Sequence, residues 1–311
     1  MNTFLNKRWM CSVSLILREI FPFINHAWTT LLGYEQDDIL ATPFVNLIHP
    51  DDVDYTMTAY DRVQQGELMV NFENRYRTKA GDYIWISWTA YPNENEQAIY
   101  AVGRDVTKSK QSEEKLDNQT ALLDAITEVQ SQFITETSAQ QLFDNLLDSI
   151  LKLSKSEYGF IGKILKTSEG KPYLKTHAIT NMAWNEETEK FYKENAPDGL
   201  EFYNLNSLFG YVIRTGEVML TNDPANNPHS CGIPQGHPPL TCFLGIPIYS
   251  GQRLLGMAGI ANRSGGYDQS VVDYLQPLMS TTGHIIEAYA TAKKGQKTLR
   301  ELHTSEARHR A

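Results

Sequence analysis

Short apolar and aromatic runs lie on both sides of a helical segment in the first third of the chain. Residues 25–38 and 50–65 predict two short helices, and Asp51 or Asp52, directly after Pro50, is expected to cap the second. Five runs predict strands, at residues 10–17, 20–24, 69–78, 83–91 and 98–105. The pattern therefore predicts one small antiparallel sheet whose strands are interrupted by helices.

Residues 108–137 have a different character, because Gly and Pro are absent and Gln, Glu, Ser and Lys dominate. Leu122, Ile126, Val129 and Phe133 are spaced four, three and four residues apart, as in the seam of a coiled coil. A stripe this narrow needs an apolar partner, and a second copy of the same helix is the simplest one. We therefore expect a helical linker that forms a parallel homodimer through these four residues.

A second domain is predicted from Ser138, which forms a capping box with Gln141 and opens an amphipathic helix. Further helices are predicted at residues 184–195, at 207–215 and from 269 to the C-terminus. Strands are predicted at 158–165, 173–180, 218–221, 243–249 and 254–261, the last two as a hairpin. Helices and strands in this order are typical of an α+β fold.

Composition and charge exclude several classes of protein. The 311 residues carry a net charge of −9 without a basic stripe, which argues against nucleic-acid and anionic-membrane binding. Cys11, Cys231 and Cys242 form no C-x-x-C pair, and three isolated thiols are typical of a reducing compartment. No apolar run approaches the ~20 residues of a membrane helix. We expect a cytoplasmic protein without a membrane span in this chain.

The first domain resembles the PAS family. The motifs that carry the resemblance follow one another in the family's order: Phe23-Ile24-Asn25-His26-Ala27-Trp28, Leu32-Gly33-Tyr34, His49-Pro50-Asp51-Asp52, Asn74-Arg75-Tyr76-Arg77, Trp85-Ile86-Ser87-Trp88 and Gly103-Arg104-Asp105-Val106-Thr107. The chain departs from the family at the start, where Arg18-Glu19 stands in place of a glycine turn.

The second domain resembles the GAF family of sensor kinases and diguanylate cyclases. The motifs are Gly232-Ile233-Pro234-Gln235-Gly236-His237-Pro238-Pro239-Leu240, Phe243-Leu244-Gly245-Ile246-Pro247-Ile248, Gly256-Met257-Ala258-Gly259-Ile260-Ala261-Asn262-Arg263 and Gly265-Gly266-Tyr267-Asp268. Together the two resemblances imply an α+β protein of two sensor domains, each an antiparallel sheet flanked by helices, joined by long signalling helices.

Both families hold small molecules in pockets, so the resemblance implies ligand-pocket candidates. In the first domain Trp28, Trp85 and Trp88 could wall a pocket or could equally be core, and alternation places Trp85 and Trp88 on opposite faces of their strand. In the second domain the candidates are a cysteine and three further residues near the 231–240 loop: Trp184, Phe209, Cys231 and His237.

The cofactor is unknown, and three family signatures are absent. A flavin–thiol photosensor needs a cysteine in the central helical region. The only cysteine near this domain is Cys11, which lies on the predicted first strand. A bilin site needs a cysteine that is followed by His, whereas Gly232 follows Cys231. The cyclic-nucleotide signature has Asn262-Arg263 but lacks the later acidic pair. His26 and His49 remain available as haem ligands, although His49 fits a helix cap better. No metal site is expected.

The resemblance implies a sensory input module of a bacterial signal-transduction protein. It would sense a small ligand or partner and pass the signal to an output domain absent from this chain. The implied parent is a sensor histidine kinase or, second, a diguanylate cyclase. No phosphoacceptor box, nucleotide loop or Gly-Gly-Asp-Glu-Phe motif occurs, so we expect no catalytic activity. The alternatives are a free methionine sulfoxide reductase of the GAF type and a dimerisation scaffold without a ligand. The expected divisions are residues 10–107, 108–137, 138–291 and 292–311.

Overall fold

The computed structural model describes residues 11–16, 23–93, 98–135, 138–180, 199–230 and 239–310. It divides into two compact units, Met1–Asp117 and Asn118–Ala311. This division falls inside a helix that the sequence predicted as a separate linker, and the four predicted divisions stay predictions.

The first unit is built on a five-stranded antiparallel sheet with the order β2-β1-β5-β4-β3. The strands are β1 Cys11–Ile16, β2 Phe23–Ile24, β3 Met69–Arg77, β4 Tyr83–Asn93 and β5 Ala98–Asp105. The helices between β2 and β3 are α1 His26–Leu32, α2 Gln36–Leu40, α3 Val53–Gln64 and two 3-10 turns, Phe44–Leu47 and Pro50–Asp52. They cover one sheet face and close an apolar core that contains Trp28, Ile86 and Trp88.

Two details differ from the sequence prediction for these helices. The single helix expected at 25–38 is wrong, because Gly33 ends α1 in the left-handed conformation (φ 77°) and α2 begins only at Gln36. The carboxylate of Asp52 caps no helix, since it binds Arg75 instead. His49 takes the capping role, as its Nδ1 accepts a hydrogen bond from the backbone N–H of Asp51 at 3.2 Å.

Helix α4, Thr107–Ile134, follows β5 and supplies residues to both units. The sequence favours a long helix here, because residues 108–137 contain neither Gly nor Pro. Its first residue is fixed by Asp105, whose carboxylate accepts a hydrogen bond from the Thr107 N–H at 2.8 Å.

The second unit is built on a six-stranded antiparallel sheet with the order β8-β7-β6-β11-β10-β9. The strands are β6 Tyr158–Lys166, β7 Pro172–Ile179, β8 Glu201–Phe202, β9 Met219–Thr221, β10 Phe243–Ser250 and β11 Arg253–Ala261. The helices wholly inside this unit are α5 Ala139–Ser154, α6 Leu208–Thr215 and α7 Gln269–Arg310. The predicted helix at 184–195 lies outside the described residues.

The second unit has an apolar cluster on each side of its sheet. The larger cluster joins α5, the first half of α7 and the end of α4 to the sheet, through residues such as Phe143, Ile246 and Leu275. The smaller cluster joins α6 to the sheet through Val212, Phe243 and Met257. Helices packed on antiparallel sheets in both units confirm the predicted α+β class.

Candidate functional site

A pocket of about 50 Å³ lies between the helices and the sheet of the first unit. We call it the Asn74 pocket. Its walls are formed by five aromatic, five aliphatic and two polar side chains: Phe44, Tyr60, Phe72, Tyr76, Trp88, Val63, Met69, Ala90, Ile99, Ala101, Thr56 and Asn74. Apolar walls with a few placed polar groups are typical of small-molecule sites.

Trp88, Asn74 and Thr56 in the wall of the Asn74 pocket form one connected chain of hydrogen bonds. The Trp88 indole donates to Oδ1 of Asn74 at 2.7 Å. Nδ2 of Asn74 donates to the Thr56 hydroxyl at 3.1 Å, and that hydroxyl donates to the backbone oxygen of Asp52 at 2.6 Å. Asn74 is only 1% exposed, so these bonds compensate for the burial of its amide.

The three tryptophans proposed from the sequence are not all in one place. Trp88 lines the Asn74 pocket, and its ring centroid lies 5.6 Å from that of Trp28, which is fully buried in the core behind it. Trp85 is half-buried on the opposite sheet face, where the Arg75 guanidinium and the Lys110 ammonium lie 5.3 and 5.7 Å from its ring centroid. Trp85 therefore contributes nothing to the pocket wall.

A partly buried ion pair between Asp52 and Arg75, which is on strand β3, lies next to the pocket. The Arg75 side chain donates from Nε to Oδ2 of Asp52 at 2.9 Å and from Nη2 to Oδ1 at 2.5 Å. The Arg75 backbone N–H also donates to Oδ2, at 2.8 Å. Burial by itself raises the pKa of Asp52, but the Arg75 hydrogen bonds and charge outweigh it and lower the pKa below its ordinary value.

The start of helix α4 is fastened to the same outer sheet face. The Thr107 hydroxyl accepts a hydrogen bond from the backbone N–H of Trp85 at 2.9 Å. One turn later the Lys110 ammonium pairs with the Glu73 carboxylate at 2.7 Å. Because Glu73 and Arg75 flank Asn74 on strand β3, the same strand contacts the pocket through one face and helix α4 through the other.

Of the four site residues predicted for the second unit, Phe209 lies within the described ranges. Phe209 on α6 is half-buried, with its ring centroid 5.7 Å from Phe202 and 6.4 Å from Phe160. Trp184, Cys231 and His237 lie outside the described residues. Phe209, Phe202 and Phe160 thus form an aromatic cluster on the α6 side of the sheet.

The four seam residues of α4 face the core of the second unit. Val129 is 1% exposed and Leu122 is 9% exposed, and both belong to the larger apolar cluster, against which Ile126 and Phe133 also pack. The Phe133 ring lies 5.3 Å from that of Tyr289 on α7. The structure thus gives this stripe apolar partners within its own chain, among them residues of α5 and α7.

Two kinds of feature are absent from the described part of the chain. There, no three His, Cys, Asp or Glu side chains are grouped so that they could hold a metal ion. No helix in the same ranges combines the length and apolarity that a membrane crossing requires.

Two family models match the chain in succession. The PAS fold matches residues 21–104, and the GAF domain matches residues 136–287. The chain carries a PAS domain followed by a GAF domain. The predicted recognition of both families is thereby confirmed, and with it the sensory character of the module.

A curated relative has a sensor name. The methyl sulfide methyltransferase-associated sensor of Methanosarcina acetivorans is 25% identical over 272 residues, which are 85% of this chain and 26% of that protein. The chain thus spans about a quarter of the length of this relative.

Two solved structures of single domains are each similar to part of the chain. A GAF domain of a phosphoenolpyruvate-protein phosphotransferase from Coxiella burnetii is 17% identical, with a TM-score of 0.44, over 57% of this chain and 98% of its own. A domain of a sensory box sensor histidine kinase/response regulator from Geobacter sulfurreducens is 20% identical, with a TM-score of 0.30, over 33% of this chain and 87% of its own.

Of the twelve pocket residues, the sequence prediction named only Trp88, and the missed residues include Asn74 and Thr56. The signal was present in the PAS motif Asn74-Arg75-Tyr76-Arg77, where alternation along β3 places Asn74 and Tyr76 on the same face. A polar residue at an inward strand position needs buried partners, and this makes it a site candidate. Thr56 lies within a helix among other polar residues and carried no comparable signal.

Proposed function

We propose that this chain is the sensory input module of a cytoplasmic signal-transduction protein. The PAS domain binds a small molecule in the Asn74 pocket, and the helices carry the response to an output domain of the parent protein. The parent we favour is a sensor histidine kinase, with a diguanylate cyclase second. The chain itself relays the signal and catalyses no reaction.

One observation carries the proposal: helix α4 is anchored in both domains. Its first turns are bonded to β3 and β4 of the PAS domain through Lys110 and Thr107. Its later turns are buried in the GAF core through Leu122 and Val129. A continuous helix is stiff, so a displacement of the PAS sheet is passed on as a rotation or shift rather than being absorbed.

The relative from Methanosarcina acetivorans supports this role. Its name describes a sensor associated with a methyl sulfide methyltransferase, and its matched segment covers 85% of this chain. This likeness favours sensing over the alternatives of a methionine sulfoxide reductase and a ligand-free scaffold.

A chimera tests the relay through the last helix. The chain is joined after Arg310 to a histidine-kinase catalytic core, and one to seven residues are inserted after Gly295, where an added Cβ would meet no atom within 4 Å. Since each residue turns a helix by about 100°, autophosphorylation is expected to fall with one or two inserted residues. It should recover in part near four and most fully near seven, about two full turns.

The measurement is the rate of phosphate incorporation from ATP, with catalytically inactive core as the blank. A rate that is unaffected by insert length would contradict relay through the helix. A rate that falls steadily with length would do the same, because it would indicate a simple tether.

We further propose that the module acts as a parallel homodimer through a different face of α4 from the one first expected. Leu123 and Ile134 are 62% and 76% exposed, and Thr127 lies between them on the same side of the helix. Their separation of eleven residues is a repeat that keeps two side chains on one helical face. A second copy would cover both.

Leu123→Glu is expected to shift the chain from dimer to monomer, because two carboxylates would meet at the shared face. Sedimentation velocity at tens of micromolar measures the change. Glu128→Gln, at an exposed position on another side of the helix, is the matched control and should leave the dimer intact. Sedimentation of the unaltered chain as a monomer would contradict the proposal.

A further inference from the structure

We propose that the Asn74 pocket selects a small, neutral, mainly apolar molecule of about three to five non-hydrogen atoms that carries one hydrogen-bond acceptor. The inference rests on the proposed sensory function and adds the chemical class of the ligand. Size, charge and hydrogen-bonding capacity each restrict the class independently.

The size limit follows from the volume of the pocket, about 50 Å³. A cavity needs about 10–15 Å³ to hold one water-sized group, so the pocket accommodates about three to five such groups. Haem and flavin are several times larger than this. The aromatic walls limit expansion, because Trp88 is packed against both Trp28 and Tyr76 at centroid distances of 5.6 Å.

The requirement for a neutral ligand follows from the side chains of the wall. None of the twelve lining residues is Asp, Glu, Lys or Arg. The nearest buried charges described in this domain, Asp52 and Arg75, already neutralise each other. An ionic ligand would therefore be buried without a counter-charge, which is strongly unfavourable.

The need for an acceptor follows from the fixed orientation of the Asn74 amide. An indole N–H can only donate, so the amide oxygen must face Trp88. The Thr56 hydroxyl gives its proton to the Asp52 backbone oxygen, so it must accept from the Asn74 amide nitrogen. One amide N–H is thereby used, and the second bonds to nothing within the ranges that the structure describes. A ligand oxygen can accept from it.

Two probes of the same shape test this class: acetone, which has an oxygen acceptor, and 2-methylpropene, which has none. The full chain is labelled with ¹⁵N-tryptophan, which gives five indole signals, and Trp88→Phe assigns the one at the pocket. Both probes are expected to shift the Trp88 signal saturably in about the 0.1–10 mM range, because so few atoms contribute limited affinity. Acetophenone, a larger ketone, is expected to cause no shift.

Asn74→Leu isolates the hydrogen bond. Its expected effect is to weaken acetone binding about fivefold or more, while 2-methylpropene binds at least as well as before. If this variant does not fold, the infrared stretching frequency of the carbonyl group of bound acetone is measured instead. A frequency below that of acetone in a hydrocarbon solvent supports the hydrogen bond, and an equal frequency contradicts it.

Ala101→Leu fills the pocket and is the test of location. Ala101 lines the pocket and is 4% exposed. The variant is expected to abolish the Trp88 shift for both probes, and Ala90→Val serves if the larger side chain prevents folding. Shifts that persist in the filled pocket, absence of a shift with either small probe, or tighter binding of acetophenone would each overturn the ligand class.

The outcomes separate this inference from the proposed function. Probe binding without any change in the activity of the kinase chimera would leave the ligand class standing and refute sensing through this pocket. A chimera with the expected dependence on insert length, but with no probe binding, would refute the ligand class and leave the relay standing.

Discussion

Arg75→Ala is expected to destabilise the PAS domain by about 3–5 kcal/mol, because it leaves the buried Asp52 carboxylate without its partner. The Asp52 side chain is 5% exposed, and three of its hydrogen bonds come from Arg75. The backbone bond survives the substitution, but the two bonds from the guanidinium and its positive charge are lost. Because the Asp52 side chain is 5% exposed, water compensates for these losses only in part.

A matched ion pair in the same domain provides the control. Arg62 pairs with Glu67 at 2.6 Å, but the two side chains are 65% and 50% exposed. Arg62→Ala removes a similarly short ion pair that is exposed to solvent. It should lower the free energy of unfolding by less than about 1 kcal/mol. Urea unfolding of each variant, followed by tryptophan fluorescence, measures the difference. Equal losses for the two variants would refute the special role of the Asp52–Arg75 pair.

The same pair predicts a pH dependence with a definite sign. The pKa of Asp52 in the folded protein lies below its ordinary value of 3.8, because Arg75 outweighs the effect of burial. A lowered pKa contributes stability above the ordinary value, and that contribution is lost as the pH falls through the folded value. The stability gap between the unaltered chain and Arg75→Ala should therefore narrow below about pH 4.

The regular parts of the fold could be predicted because their signals are local. The alternation of inward and outward side chains along β4 predicted that strand. Ser138 caps α5 as expected, because its hydroxyl accepts a hydrogen bond from the backbone N–H of Gln141 at 3.2 Å. The role of Asp52 could not be predicted in this way. Asp after Pro favours a helix cap by local rules, whereas its true partner, Arg75, lies 23 residues further along the chain.

The seam on α4 shows a second kind of limit. A stripe with spacing four, three and four is satisfied by any apolar partner, whether a second copy of the helix or the chain's own helices. The pattern correctly identified Leu122 and Val129 as buried. It contained no information on what buries them, because α5 and α7 are distant in sequence.

Val129→Asp distinguishes the two partners. Val129 is 1% exposed within the GAF core, so a carboxylate there would be buried without a partner. We expect the GAF domain to lose about 3 kcal/mol or more of its free energy of unfolding. Ile126→Glu should destabilise the same domain to a smaller extent, since Ile126 is only partly buried against this core.

Leu123→Asp is the control for this effect, because it places the same carboxylate on the same helix at a position that is 62% exposed. At a protein concentration low enough for the unaltered chain to sediment as a monomer, its cost in unfolding free energy should be within about 0.5 kcal/mol of zero. Denaturant unfolding of the full chain, with sedimentation of each variant in parallel, gives both quantities. If Val129→Asp left GAF stability unchanged and instead dissociated a dimer, the stripe would face a second copy. Loss of stability in Val129→Asp with normal stability in Leu123→Asp assigns the stripe to the GAF core and leaves the Leu123 face of α4 for association.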